Sequence, residues 1–161
     1  DKGAQTGLRG GVVVCSTSDM AESWRGEVTI AKRDDEQRLV FGWLYVSKRV
    51  DGTDVVDHSG ETIAPTTLEK AAYAFVLDAR TGGLMHRKGA DGKTRAVARL
   101  VESVVFTPEK RAAMGLADGT VPDGLWTGWK VDDDEAWDGI KSGRYTMLSL
   151  GGRAVRAEVG A

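Results

Sequence analysis

Apolar and polar positions along the chain divide it into short elements. Val28 and Ile30, then Leu39, Phe41, Trp43 and Tyr45 with their neighbours, are β-branched or aromatic, and Arg33–Gln37 between them is polar and turn-like. That pattern predicts a β-hairpin, its second strand, Leu39–Val46, apolar enough to be buried on both faces. Leu68, Ala71, Ala72, Phe75 and Val76 recur at helical spacing. They predict a helix over about residues 66–80, opened by a Thr66/Glu69 capping box and ended by Gly82-Gly83. The run from Ala96 to Phe106 reads as a strand, and Thr107-Pro108 starts a short helix to about Met114, with proline in a tolerated first-turn position. Trp126–Val131 reads as another strand. Asp132 and Glu135 have capping-box spacing ahead of Ala136, Trp137 and Ile140, a short helix closed by Gly143. A last strand follows Arg144. The order β-β-α-β-α-β-α-β predicts an α+β fold, a compact and mostly antiparallel β-barrel or curved sheet with short helices outside.

The residues before this pattern are rich in Gly, Ser and Thr. Residues 1–23 read as a poorly ordered lead-in with one short strand at Gly11–Cys15, and residues 24–161 as the domain. The chain starts at Asp1, which suggests a fragment or a processed product. Its 161 residues suit one domain with a substantial core, and 41% hydrophobic with 29% charged residues is ordinary for a globular protein. A net charge of −2 makes no global electrostatic case for nucleic acid, and no apolar run approaches the length needed to span a bilayer. Cys15 is the only cysteine, so no internal disulfide forms. It has no basic neighbours to activate it as a nucleophile. Trp24, Trp126, Trp129 and Trp137 suit either an interface or a core.

The last strand carries the most chemistry. In Tyr145-Thr-Met-Leu-Ser149-Leu-Gly151-Gly152-Arg-Ala-Val155 a hydroxyl interrupts an apolar run, and two glycines follow that let a backbone or ligand come close. Strand alternation puts Met147, Ser149 and Gly151 on one face, with Arg153 continuing it. Ser149 is a candidate nucleophile, and the backbone near Gly151 with the Arg153 guanidinium are candidate oxyanion donors. His86 follows the Gly-Gly pair, which would fix the direction of its imidazole, and is the candidate general base. His58, the other histidine, sits in an exposed-looking turn. For a third group that orients the histidine, Glu102 interrupts an apolar strand and Glu158 follows the serine by nine residues. Asp57 and Glu61 bracket Gly60 and read as a turn rather than a metal loop. Asp132–Glu135 is most simply a helix start with favourable dipole charges. No zinc spacing, phosphate loop or dinucleotide fingerprint occurs.

Several segments together resemble the phage prohead (capsid-maturation) serine proteases, specifically the XkdF-like group. They are EQRLVFGWLYV (36–46), DHSGE with Ile63 and Pro65 (57–65), LEKAAYAFVLDARTGGLMH (68–86), RLVESVVFT (99–107), WTGWKVDD (126–133) and YTMLSLGGRAVRAEV (145–159). The similarity covers roughly residues 27–159, and the order and spacing of the segments carry it. It implies a herpesvirus-assemblin-like barrel and a serine endopeptidase that cleaves scaffold protein and the major capsid protein, and also itself, inside the assembling prohead in the host cytoplasm. It puts the catalytic histidine on His86 and the nucleophile on Ser149, and implies neither metal nor organic cofactor. Related proteases continue past the serine strand into a further strand with an acidic residue, which this sequence lacks. The fragment could then be inactive, activated as a homodimer, or the product of self-cleavage. A protease-fold module that binds scaffold or capsid protein without cutting it, and a general small ester or amide hydrolase, are the alternative readings.

Overall fold

The computed structural model describes residues 12–15, 29–56, 62–84, 89–93 and 95–150. Seven strands and three helices occur there: β1 (Val12–Cys15), β2 (Ile30–Asp34), β3 (Leu39–Lys48), α1 (Pro65–Asp78), β4 (Thr81–Leu84), β5 (Ala98–Phe106), α2 (Pro108–Ala113), β6 (Asp123–Val131), α3 (Asp134–Lys141) and β7 (Met147–Leu150). The strands form one sheet in the order β2-β3-β6-β5-β4-β1-β7. Its pairings are antiparallel except that of β1 with β4. The α+β class and the mostly antiparallel sheet therefore stand.

The closed barrel does not. The terminal strands β2 and β7 come together at a single bridge, Thr29 with Met147, and the Ile30 N–H donates to the Thr146 carbonyl at 2.8 Å. One bridge is not a ladder, so among the described residues the sheet is curled rather than closed.

The concave side holds the core. Val40, Leu44, Leu68, Leu84, Val97, Val105, Leu125, Trp129, Val131 and Leu148 are buried in one cluster, with α1 and α3 contributing Phe75, Trp137 and Ile140. Each such side chain contributes about 1.5–3 kcal/mol by leaving water. The Phe75 and Trp129 rings, 6.0 Å apart, tie α1 to the sheet. Trp129 and Trp137 are thus core residues, while Trp126 is half-buried on the opposite, convex face.

Three local expectations change. Thr66 does not cap α1: Pro65 occupies the first turn and needs no N–H partner, so the helix starts after Ala64 without a side-chain cap. Gly82-Gly83 does not stop that helix. It ends at Asp78, Arg80 takes the left-handed conformation (φ 59°), and the glycines enter β4. A Cβ on Gly82 would stand 3.3 Å from both Ala98 Cβ and Trp129 Cε3, so this glycine lets β4 seat against the core. β3 is buried on both faces only over Leu44–Ser47; Leu39, Phe41 and Trp43 are half-buried, and bulges beyond Trp43 break the alternation.

Candidate active site

β7 is a four-residue strand held from three directions. At its start the Tyr145 N–H donates to the Gly139 carbonyl at 3.0 Å, which docks the chain on α3. The Thr29–Met147 bridge ties one side to the approach of β2. On the other side β1 pairs along the whole strand, Val14 opposite Leu148 and Val13 opposite Ser149. Leu148 enters the core. Alternation therefore turns Met147 and Ser149 to the other face, as expected from sequence. Met147 is fully buried, and Ser149 is 8% exposed, a hydroxyl largely withdrawn from bulk water.

β1 also pairs with β4, Val13 opposite Gly83 and Val14 opposite Leu84. Gly83, Val13 and Ser149 thus form one row across three strands, with about 10 Å between the outer two backbones. In the sequence His86 follows Leu84 by two residues. His86, Gly151 and Arg153 lie outside the described residues, as do His58, Asp57, Glu61, Glu158 and Trp24.

Glu102 is described, and it does not face Ser149. It lies on β5, three strands from β7 in the sheet, and accepts a hydrogen bond from Trp126 Nε1 at 2.9 Å. Its charge is tolerated in an apolar strand because the side chain is on the exposed convex face. The acidic run before α3 is divided between two tasks. Asp133 caps the helix by accepting from the Ala136 N–H at 2.9 Å, one residue later than the spacing suggests. Asp132 instead accepts two hydrogen bonds from Arg99, at 2.7 and 2.9 Å, which hold its carboxyl below the ordinary range. Glu69 is held low by hydrogen bonds from Lys110 and Tyr73. These carboxylates are structural, and none belongs to β7 or its sheet neighbour β1. Among the described residues no group of three His, Cys, Asp or Glu could hold a metal ion.

The short strand expected at Gly11–Cys15 is β1, Val12–Cys15, a β-branched run within a Gly/Ser/Thr-rich stretch. Its position between β4 and β7, and β4 itself, were not legible in the sequence.

The profile of a family described as "Putative phage serine protease XkdF" matches residues 27–158. The chain belongs to this XkdF family. Among curated proteins, an uncharacterized protein YqbD of Bacillus subtilis (strain 168) is 32% identical over 142 residues, 88% of this chain and 39% of the relative. The phage-like element PBSX protein XkdF of the same strain is 32% identical over 120 residues, 74% of this chain and 38% of the relative. The chain thus spans under two fifths of the length of these relatives. No solved structure matches it. Among the described residues no helix is long and apolar enough to cross a membrane.

Proposed function

We propose that this XkdF-family chain is a serine endopeptidase of phage capsid maturation, with Ser149 as nucleophile and His86 as general base. The observation that carries the reading is Ser149 itself. It is a nearly buried hydroxyl on a short, firmly held strand, separated by one strand from β4, after which the chain runs on to His86. Two strand spacings, about 10 Å, separate the backbones of Gly83 and Ser149, and His86 follows Gly83 by three residues in the sequence.

In this mechanism the His86 imidazole takes the Ser149 proton as Oγ attacks the substrate carbonyl. The Gly151 N–H and the Arg153 guanidinium receive the charge that develops on the carbonyl oxygen. His86 then delivers the proton to the leaving amine, and water, activated by the same imidazole, releases the acyl group. The substrate is an extended segment of scaffold or capsid protein, or of the chain itself, paired by its backbone along a strand. The setting is the interior of the assembling prohead, where substrate is concentrated and a tight site is unnecessary.

Intact-mass analysis of scaffold and capsid proteins co-expressed with the wild-type chain, Ser149→Ala and His86→Ala tests the proposal. Cleavage by wild type alone supports it. Intact partners that co-purify with all three chains would replace it with the reading of a non-cutting assembly module.

A further inference from the structure

The convex face of the sheet carries a patch that the protease reading does not use. Lys32, Phe41, Gly128 and Glu102 form one row across β2, β3, β6 and β5. The next row holds Trp43, Trp126 and Val104. Trp43 packs edge-on against Trp126 at 5.4 Å between centroids and against Phe106 at 5.7 Å. Phe41, Trp43, Val104, Phe106 and Trp126 are all only half-buried, and Val101, in the bulge beside Glu102, is 51% exposed. Core helices α1 and α3 are on the opposite face. Contiguous aromatic surface of this kind marks an interaction site more often than a solvated wall.

The charges identify the occupant. Lys32 Nζ stands 4.9 Å from the Phe41 ring centroid at one end of the row, and exposed Glu102 stands at the other. Between them are an aromatic ring and a glycine. A Cβ on Gly128 would come within 2.7 Å of the Phe41 ring and of Glu102 Cγ, so this position is filled by its neighbours and stays low. The row reads positive, apolar, apolar, negative. Rotation by half a turn about an axis along the strands, midway between β3 and β6, reverses it. Lys32 of one copy then faces Glu102 of the other twice over, with aromatic surface against aromatic surface between the two pairs. Such self-complementarity is what an isologous interface requires.

We propose that this face pairs with the same face of a second copy of the chain, through apolar contact of Phe41, Trp43 and Trp126 bounded by two reciprocal Lys32–Glu102 ion pairs. The patch is four strands wide, about 14 Å between the outer backbones, which puts the dimer in the small and weak class of interfaces.

Sedimentation velocity across concentrations bracketing the micromolar range tests the proposal. Wild type should self-associate, and Lys32→Glu or Glu102→Lys should each weaken the dimer by about tenfold or more, through like charges set opposite each other. The doubly reversed chain, Lys32→Glu with Glu102→Lys, should recover wild-type association to within about threefold. Within one copy their backbones stand about 14 Å apart, and a cross-link found in the dimer band between differently isotope-labelled copies separates pairing between copies from pairing within one. Glu102→Lys gives up the bond from Trp126 Nε1, so circular dichroism must show each variant folded like wild type, and zero-length cross-linking of wild type should join Lys32 to Glu102 between copies. A wild type that stays monomeric, single reversals that associate like wild type, or a double reversal as weak as the singles would each overturn the proposal.

Discussion

Gly139→Ala reverses what helix propensity alone expects. Gly139 lies inside α3, where alanine is favoured over glycine by about 0.8–1.0 kcal/mol. A Cβ there, however, would stand 2.1 and 2.2 Å from Cδ2 and Cε2 of Tyr145, a ring that is almost fully buried. Ordinary contact requires the ring to withdraw by about 1.5 Å. It cannot do so freely, because the Tyr145 N–H is bonded to the Gly139 carbonyl at 3.0 Å. Overpacking of a filled core costs about 1–3 kcal/mol, and more if the ring is expelled. Set against the gain in propensity, the balance is a net loss of about 1 kcal/mol, which lowers Tm by roughly 2–4 °C for a chain of this length. Because Tyr145 leads directly into β7, the proposed cleavage by Ser149 should fall as well. Thermal unfolding followed by circular dichroism provides the measurement, and Tyr145→Leu in the Gly139→Ala background should cost less than in wild type, by about 1–2 kcal/mol. A Gly139→Ala chain as stable as wild type, or more so, would refute the reasoning.

Other substitutions probe the rest of the frame. Gly124→Ala should cost about 3 kcal/mol or more in urea unfolding, because the added Cβ meets the Tyr45 carbonyl oxygen at 2.4 Å and backbone cannot yield as a side chain does. The buried Arg111–Asp123 ion pair, with side chains 10% and 6% exposed, should make Asp123→Ala cost about 3–5 kcal/mol. Replacing both partners, Arg111→Met with Asp123→Leu, should cost clearly less in the same assay. Glu69 is held below the usual carboxylate range by Lys110 and Tyr73, so its contribution is present above about pH 4.3 and is lost as pH falls through its lower folded value. Glu69→Gln should therefore be less stable than wild type at neutral pH, by about 0.5–1 kcal/mol, and in a pH series of thermal melts the two stabilities should converge as pH falls through that lower folded value.

Much of this frame was legible because periodicity reports burial. The β3, β5 and β6 strands and the three helices followed from apolar spacing, and Thr107 does cap α2 by accepting from the Lys110 N–H at 3.2 Å. The misreadings cluster where one residue type serves two purposes. Gly82-Gly83 looked like a helix stop, yet glycine is also what admits β4 against Trp129. The capping-box spacing of Thr66 and Glu69 was met by chance, since Glu69 is used by Lys110 on α2. Glu102 drew notice as a charge in an apolar strand, but a curled sheet has a convex face, and which strand face that is depends on tertiary contacts. The role of β1 was illegible for a related reason. Its sequence states that it is extended, while its partners, β4 and β7, are distant along the chain. For the candidate site, sequence singled out Ser149 and its strand face, and the structure adds its burial and the strand that separates it from β4.

The central claim is that Ser149 is an activated nucleophile. Labelling with a fluorophosphonate, which reacts with the oxygen of activated serines, followed by peptide mass spectrometry, tests it most directly. An adduct is expected on Ser149 in the wild-type chain, with none on any other serine, and it should be lost in His86→Ala while that variant keeps its fold by circular dichroism. Unlabelled Ser149 in a chain that nevertheless cleaves its substrate, or labelling of Ser149 that is indifferent to His86, would contradict it.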